Sequence, residues 1–111
     1  MSQSNTDKHT PDPLDIELTR AMANNLLAIA RIIGPRTRFG PMLSEYGAAE
    51  TWRRLRQGET SGFTALWRAG RLDLTIEALV VDNPRFHTLF TADELDEMRA
   101  DLREHGYEPK P

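Results

Sequence analysis

Three histidines, four serines, a run of carboxylates and a group of six arginines are the side chains here that could do chemistry. His9, His87 and His105 are scattered, and no two stand at the i, i+4 spacing that presents paired zinc ligands on a helix. Ser2, Ser4, Ser44 and Ser61 have no histidine beside them in sequence to act as a base. No phosphate-loop lysine motif, GxGxxG or GxSxG occurs. With no cysteine, thiolate ligands, disulfides and thiol nucleophiles are all excluded. No catalytic residue, metal site or cofactor is therefore assigned.

The carboxylates of residues 93–104 lack the alternating Asp/Asn loop with a central glycine that calcium requires. They read as a solvated helix face, and Asp93, Asp96, Glu97, Asp101 and Glu104 are candidates for contact with a protein partner. The arginines divide into two groups. Arg31, Arg36 and Arg38 surround "GPRTRFG", and Arg53, Arg54 and Arg56 follow Trp52. Arg53 and Arg56 share a helix face, and Glu50 can pair with Arg53 or Arg54. Arg36, Thr37, Arg38, Arg53, Arg54 and Arg56 could follow a phosphate backbone. The same arginines could equally pair with the acidic helix of their own chain, or form an ordinary wet surface.

Net charge supports a division of this kind. The formal total is −3, but residues 31–72 carry +5 and residues 73–108 carry −7. Arginine supplies twelve of the 14 basic residues, a skew expected of a GC-rich bacterial genome. The opening residues lack the apolar core of a secretory signal, and no run reaches the roughly 18 apolar residues of a membrane span. A soluble, cytoplasmic protein is expected.

The elements that must position these side chains read as helices. Residues 1–11 are polar and are expected to be a disordered tail, 12–107 a single helical domain, and 108–111 a short tail. Asp12 and Pro13 form a helix start. Leu18, Met22, Leu26, Ile29 and Ile33 then recur at helical spacing, with Leu14, Leu27 and Ala30 widening the stripe until Gly34-Pro35. Pro41 can begin a second helix with Met42, Leu43 and Tyr46 inward, stopped by Gly47. A third, 48–57, turns Ala48, Trp52 and Leu55 inward, and Ser61 can cap a fourth carrying Phe63, Leu66 and Trp67. In "RLDLTIEALVVD" Leu72, Leu74 and Ile76 alternate like a strand, but a strand would have no partner in this chain. A helix capped by Asp73, with Ile76, Leu79 and Val80 inward, is the better reading, followed by a turn at Asn83-Pro84. Thr91 and Glu94 form a capping box for a last helix with Leu95, Met98 and Leu102 inward, and Tyr107 folds back after Gly106. Trp52, Phe63, Trp67, Phe86 and Phe90 are expected in the core rather than as stacking platforms for bases. The fold class is all-α, a compact bundle of five or six helices with a long first helix.

"IIGPRTRFGPMLSEYGAAE", Ile32 to Glu50, resembles the helix-hairpin-helix motif of DNA-handling proteins through Gly34-Pro35-Arg36-Thr37, Met42-Leu43 and Tyr46-Gly47. The resemblance implies that the amides starting the second helix hold a DNA phosphate, as free N–H groups at a positive helix end would. Ile32 stands where the family has its first glycine, and the segment from Gly34 to Gly47 is about one residue longer than typical of the motif.

Together these observations point to a small non-catalytic binding or regulatory protein that acts on a protein partner through a charged helical surface. Self-association of complementary patches as a homodimer is one form this could take. Nucleic-acid binding through the central arginines is the alternative, and an enzyme without a recognisable motif stands third.

Overall fold

Asp12 and Pro13 open the first element. The Asp12 carboxylate accepts the Leu14 amide at 2.8 Å, and Pro13 occupies a position where its missing N–H costs nothing. The computed structural model describes residues 12–34, 39–56 and 61–108. The N-terminal tail, the corner bearing Pro35, Arg36, Thr37 and Arg38, residues 57–60 and residues 109–111 lie outside the described residues.

Helix α1 (Pro13–Ile33) is 21 residues long, a rod of about 30 Å. Leu18, Met22 and Ile29 are buried, with Leu14, Leu26 and Ile33 packed at their margins. Leu27 is a correction to the expected stripe, being 70% exposed. One residue turns a helix by about 100°, which carries Leu27 away from Leu26 and onto the side of Arg20 and Arg31.

Helix α2 (Phe39–Arg56) starts two residues before Pro41, which lies in its first turn, where proline is tolerated. At Gly47 the backbone leaves helical geometry (φ 81°, ψ 166°), so α2 is two helices joined at a kink. Leu43 is buried in the first half, and Ala48, Ala49, Thr51 and Trp52 in the second. The second half needs a cap, and α1 supplies it. Thr19 Oγ1 accepts the Ala48 amide at 2.9 Å, and Asp15 accepts the Ala49 amide at 3.2 Å. A Cβ at residue 47 would sit 2.4 Å from Asp15 Oδ2, so only glycine lets the two helices approach this closely.

Helix α3 (Ser61–Arg68) buries Leu66, and Phe63 packs partly against the core. Trp67 is a second correction: it is 44% exposed rather than inward. The side chain of Ser61, expected as a cap, falls outside the described part of this helix. Residues 72–82 form no strand. Leu72–Leu74 make a 3-10 turn, and α4 (Ile76–Asp82) follows. Its cap is Thr75 rather than Asp73: Thr75 Oγ1 accepts the Ala78 amide at 3.1 Å and donates to the Leu72 carbonyl at 2.8 Å. The strand-like alternation arises because Leu72 and Leu74 on the turn, and Ile76 at the helix start, all face inward.

A second 3-10 segment, Pro84–Leu89, buries Phe86 and leads to α5 (Ala92–Glu104). The capping box forms as the sequence indicates, with the Thr91 amide on Glu94 at 2.9 Å and the Glu94 amide on Thr91 at 3.1 Å. Met98 and Leu102 are fully buried. Tyr107 folds back, its hydroxyl donating to Asp82 at 2.6 Å. Burial and this bond, which favours the neutral phenol, push its pKa well up. The described residues thus make an all-α bundle without a strand, its core running between α1, the second half of α2, α4 and α5.

Candidate functional site

The basic and acidic blocks of the chain meet along the seam between the second half of α2 and α5. Arg53 donates Nε to Glu94 Oε2 at 2.8 Å and Nη2 to Glu94 Oε1 at 3.1 Å, a two-pronged pair. Its Nη2 also donates to the Leu89 carbonyl at 2.9 Å, and its guanidinium lies 5.4 Å from the Phe90 ring. Arg56 pairs with Glu97 and stacks on Trp52 at 4.7 Å. Arg54 pairs with Glu50 at 3.3 Å and covers Tyr46 at 3.9 Å. Of the arginines named as phosphate contacts, the three on α2 therefore already hold carboxylates of their own chain. Arg36, Thr37 and Arg38 lie outside the described residues.

The charges of this seam are partly covered at Arg53–Glu94 and more exposed at Arg56–Glu97. The Glu94 side chain is largely covered while Arg53 stays partly open, and the bond to Arg53 pulls the Glu94 pKa down to about 2. Beneath it Trp52 and Phe90 meet edge to face at 5.6 Å. The Trp52 indole N–H donates to Glu77 Oε2 at 3.0 Å, which gives that carboxylate on α4 its partner. Burial nevertheless raises the Glu77 pKa, opposed by its hydrogen bonds and reinforced by the charge of Asp101.

The five acids proposed for partner contact lie on the outer side of α5, and the structure separates their roles. Glu97 belongs to the seam through Arg56, and Asp96 pairs with Arg99 on its own helix at 3.3 Å. Asp93, Asp101 and Glu104 are exposed and form no ion pair among the described residues. At a helical advance of 100° per residue these three and Glu97 fall within about a quarter of the helix circumference. The result is one acidic stripe along the length of α5. Loss of water around its carboxyl, followed by the like charge of Glu104, raises the Asp101 pKa, opposed by the positive charges of His105 and Arg56.

A further surface has no counterpart in the helix-face pattern of the sequence. His105, at the end of α5, stands between two rings of α3, edge-on to Phe63 at 5.0 Å and to Trp67 at 4.9 Å. Its Nδ1 bonds the Asp101 carbonyl at 2.7 Å. The spacing of Phe63, Leu66 and Trp67 looks like one inward face. Trp67, however, is a 100° step round from the buried Leu66, and that step was the available signal.

His87 spends Nε2 on the Val80 carbonyl at 2.9 Å, and neither His87 nor His105 has a hydroxyl nucleophile or a carboxylate bonded to its ring among the described residues. Among those residues no group of three or more His, Asp or Glu side chains converges in a way that could hold a metal ion. No described helix is long and apolar enough to cross a membrane. No family model, curated protein or solved structure matches the chain.

Proposed function

We propose that this is a small, non-catalytic cytoplasmic binding or regulatory protein whose α5 docks a protein partner of basic character. The observation that carries this reading is an imbalance of pairing. Arg53, Arg54 and Arg56 are spent on Glu94, Glu50 and Glu97, while Asp93, Asp101 and Glu104 are exposed and form no ion pair among the described residues. Pairing makes a guanidinium a poorer phosphate ligand, because the carboxylate must be displaced first. An unpaired acidic stripe attracts a complementary surface and speeds encounter with it. The rival reading, nucleic acid held by Arg36, Thr37, Arg38, Arg53, Arg54 and Arg56, draws its support from the charge of the sequence and from the hairpin resemblance. A homodimer would pair α5 with the outer side of α1, where Arg20 and Arg31 flank Leu27.

The test is capture from a lysate of the source cells on the immobilised protein, with and without nuclease. A basic protein retained in both cases, and released by moderate salt, is expected. Retention that vanishes with nuclease, together with firm binding to heparin or duplex DNA that weakens steeply as salt rises, would overturn the reading in favour of nucleic acid.

A further inference from the structure

Along the outer side of α1, Ile16, Arg20, Ala23, Leu27 and Arg31 are all exposed. Leu27, at 70%, is the most exposed large apolar side chain among the described residues. At 100° per residue the five fall within about a quarter of the helix circumference, nearly opposite the buried Leu18, Met22 and Ile29. Ile16, Arg20, Ala23 and Leu27 follow one another at four, three and four positions, the spacing with which one helix lies alongside another. Arg20 and Arg31 form no ion pair among the described residues. The acids of α1 near Arg20 are committed elsewhere: Glu17 holds Arg85 at 3.1 Å, and Asp15 accepts the Ala49 amide.

The acids of α5 repeat the spacing of these arginines. Asp93 and Glu104 stand eleven positions apart, as do Arg20 and Arg31. Eleven residues rise about 16 Å and return to within about 20° of the starting direction, so each pair marks the two ends of one straight edge. With the two helices side by side in the same direction and Arg20 at Asp93, Arg31 falls at Glu104. Leu27 then falls at Ala100, a small residue beside the acidic stripe. Run in the opposite direction, Leu27 would face Glu97, which Arg56 already holds. Each edge points away from the core that its own helix covers, so the match is made between two chains.

We propose that the outer side of α1 docks α5 of a second copy of this chain, with Arg20 and Arg31 against Asp93 and Glu104 and Leu27 over Ala100. Opposite charges at both ends set the register, and the apolar contact between them supplies burial that a purely charged edge lacks. The inference rests on the reading of α5 as a partner surface, and names the α1 of another copy as what it meets.

The experiment is sedimentation equilibrium of the full chain at low salt, up to about 1 mM protein. An apparent mass that rises with concentration and falls back as salt is added is expected. Leu27→Ser, at a site open to solvent, is expected to weaken association about tenfold. Arg31→Glu and Glu104→Arg are each expected to weaken it about threefold. The chain carrying both is expected to return to within about twofold of the parent, because the pair is remade with its charges exchanged. A mass that stays monomeric throughout, association indifferent to Leu27→Ser, or a double variant no better than the singles overturns the proposal. A monomeric chain that still captures a basic protein, and loses it on Glu104→Arg, overturns the proposal while the reading of α5 stands. Association that Glu104→Arg leaves untouched, together with unchanged capture by that variant, overturns both.

Discussion

At Glu94 one carboxylate accepts the Thr91 amide that closes the cap of α5 and holds Arg53 through two further bonds. Its pKa is lowered to about 2, against about 4.3 in an unfolded chain. A depressed carboxylate stabilises the fold while ionised. Its contribution is complete above about pH 4.3 and fades as the pH falls towards about 2. Glu94→Gln is expected to cost about 1–2 kcal/mol at neutral pH, with a smaller loss of stability on acidification than in the parent, measured by denaturant unfolding. Gly47→Ala tests a different residue-scale constraint. Gly47 occupies a backbone region that other residues avoid, and the new methyl would strike Asp15. A loss of about 2–3 kcal/mol is expected, against roughly 1 kcal/mol for Gly70→Ala, where the φ is positive but the space is open. Equal costs at the two sites would contradict the role given to Asp15.

At the scale of elements, the helices announce themselves by their ends. Asp12-Pro13, Gly47 and Thr91 with Glu94 were legible because cap chemistry is local: the residue that satisfies an orphan amide sits within three positions of it. The cap on the second half of α2 was not legible, since Asp15 and Thr19 lie some thirty residues away in sequence. Leu27 and Trp67 were misplaced for a related reason. Spacing gives the angle of a side chain round its own helix, but not how much of that helix a neighbour covers. The contact of α4 with α2 yields a further prediction. Glu77 accepts from Trp52 but is half-buried, and loss of water around its carboxyl raises its pKa. A carboxyl with a raised folded pKa opposes folding once ionised, so stability falls as pH rises above the usual carboxylate range. Glu77→Gln keeps an acceptor for the indole and removes the charge. It is expected to be as stable as the parent or more so at pH 7, and to lose that part of the pH dependence in thermal unfolding. An unchanged pH profile would sink the assignment.

Across the whole molecule, opposite charge does two jobs. The basic centre and the acidic end of the chain were visible as blocks, and the structure joins them through Arg53–Glu94 and Arg56–Glu97. What sequence could not supply was the remainder, because which acids stay unpaired depends on where α5 lies against α2. Asp93, Asp101 and Glu104 are that remainder. Nor could the chain order show that the ends of α3 and α5 share a cleft lined by Gly70 and Gly106. The most direct test of the account compares two variants for affinity towards the partner captured under nuclease. The first, Asp93→Asn with Asp101→Asn and Glu104→Gln, neutralises the free acids. The second, Arg54→Gln, removes the most exposed of the three α2 arginines. The account predicts at least about a tenfold loss for the first and near-unchanged binding for the second. Full binding by the acid variant, with loss on removing Arg54, would contradict it.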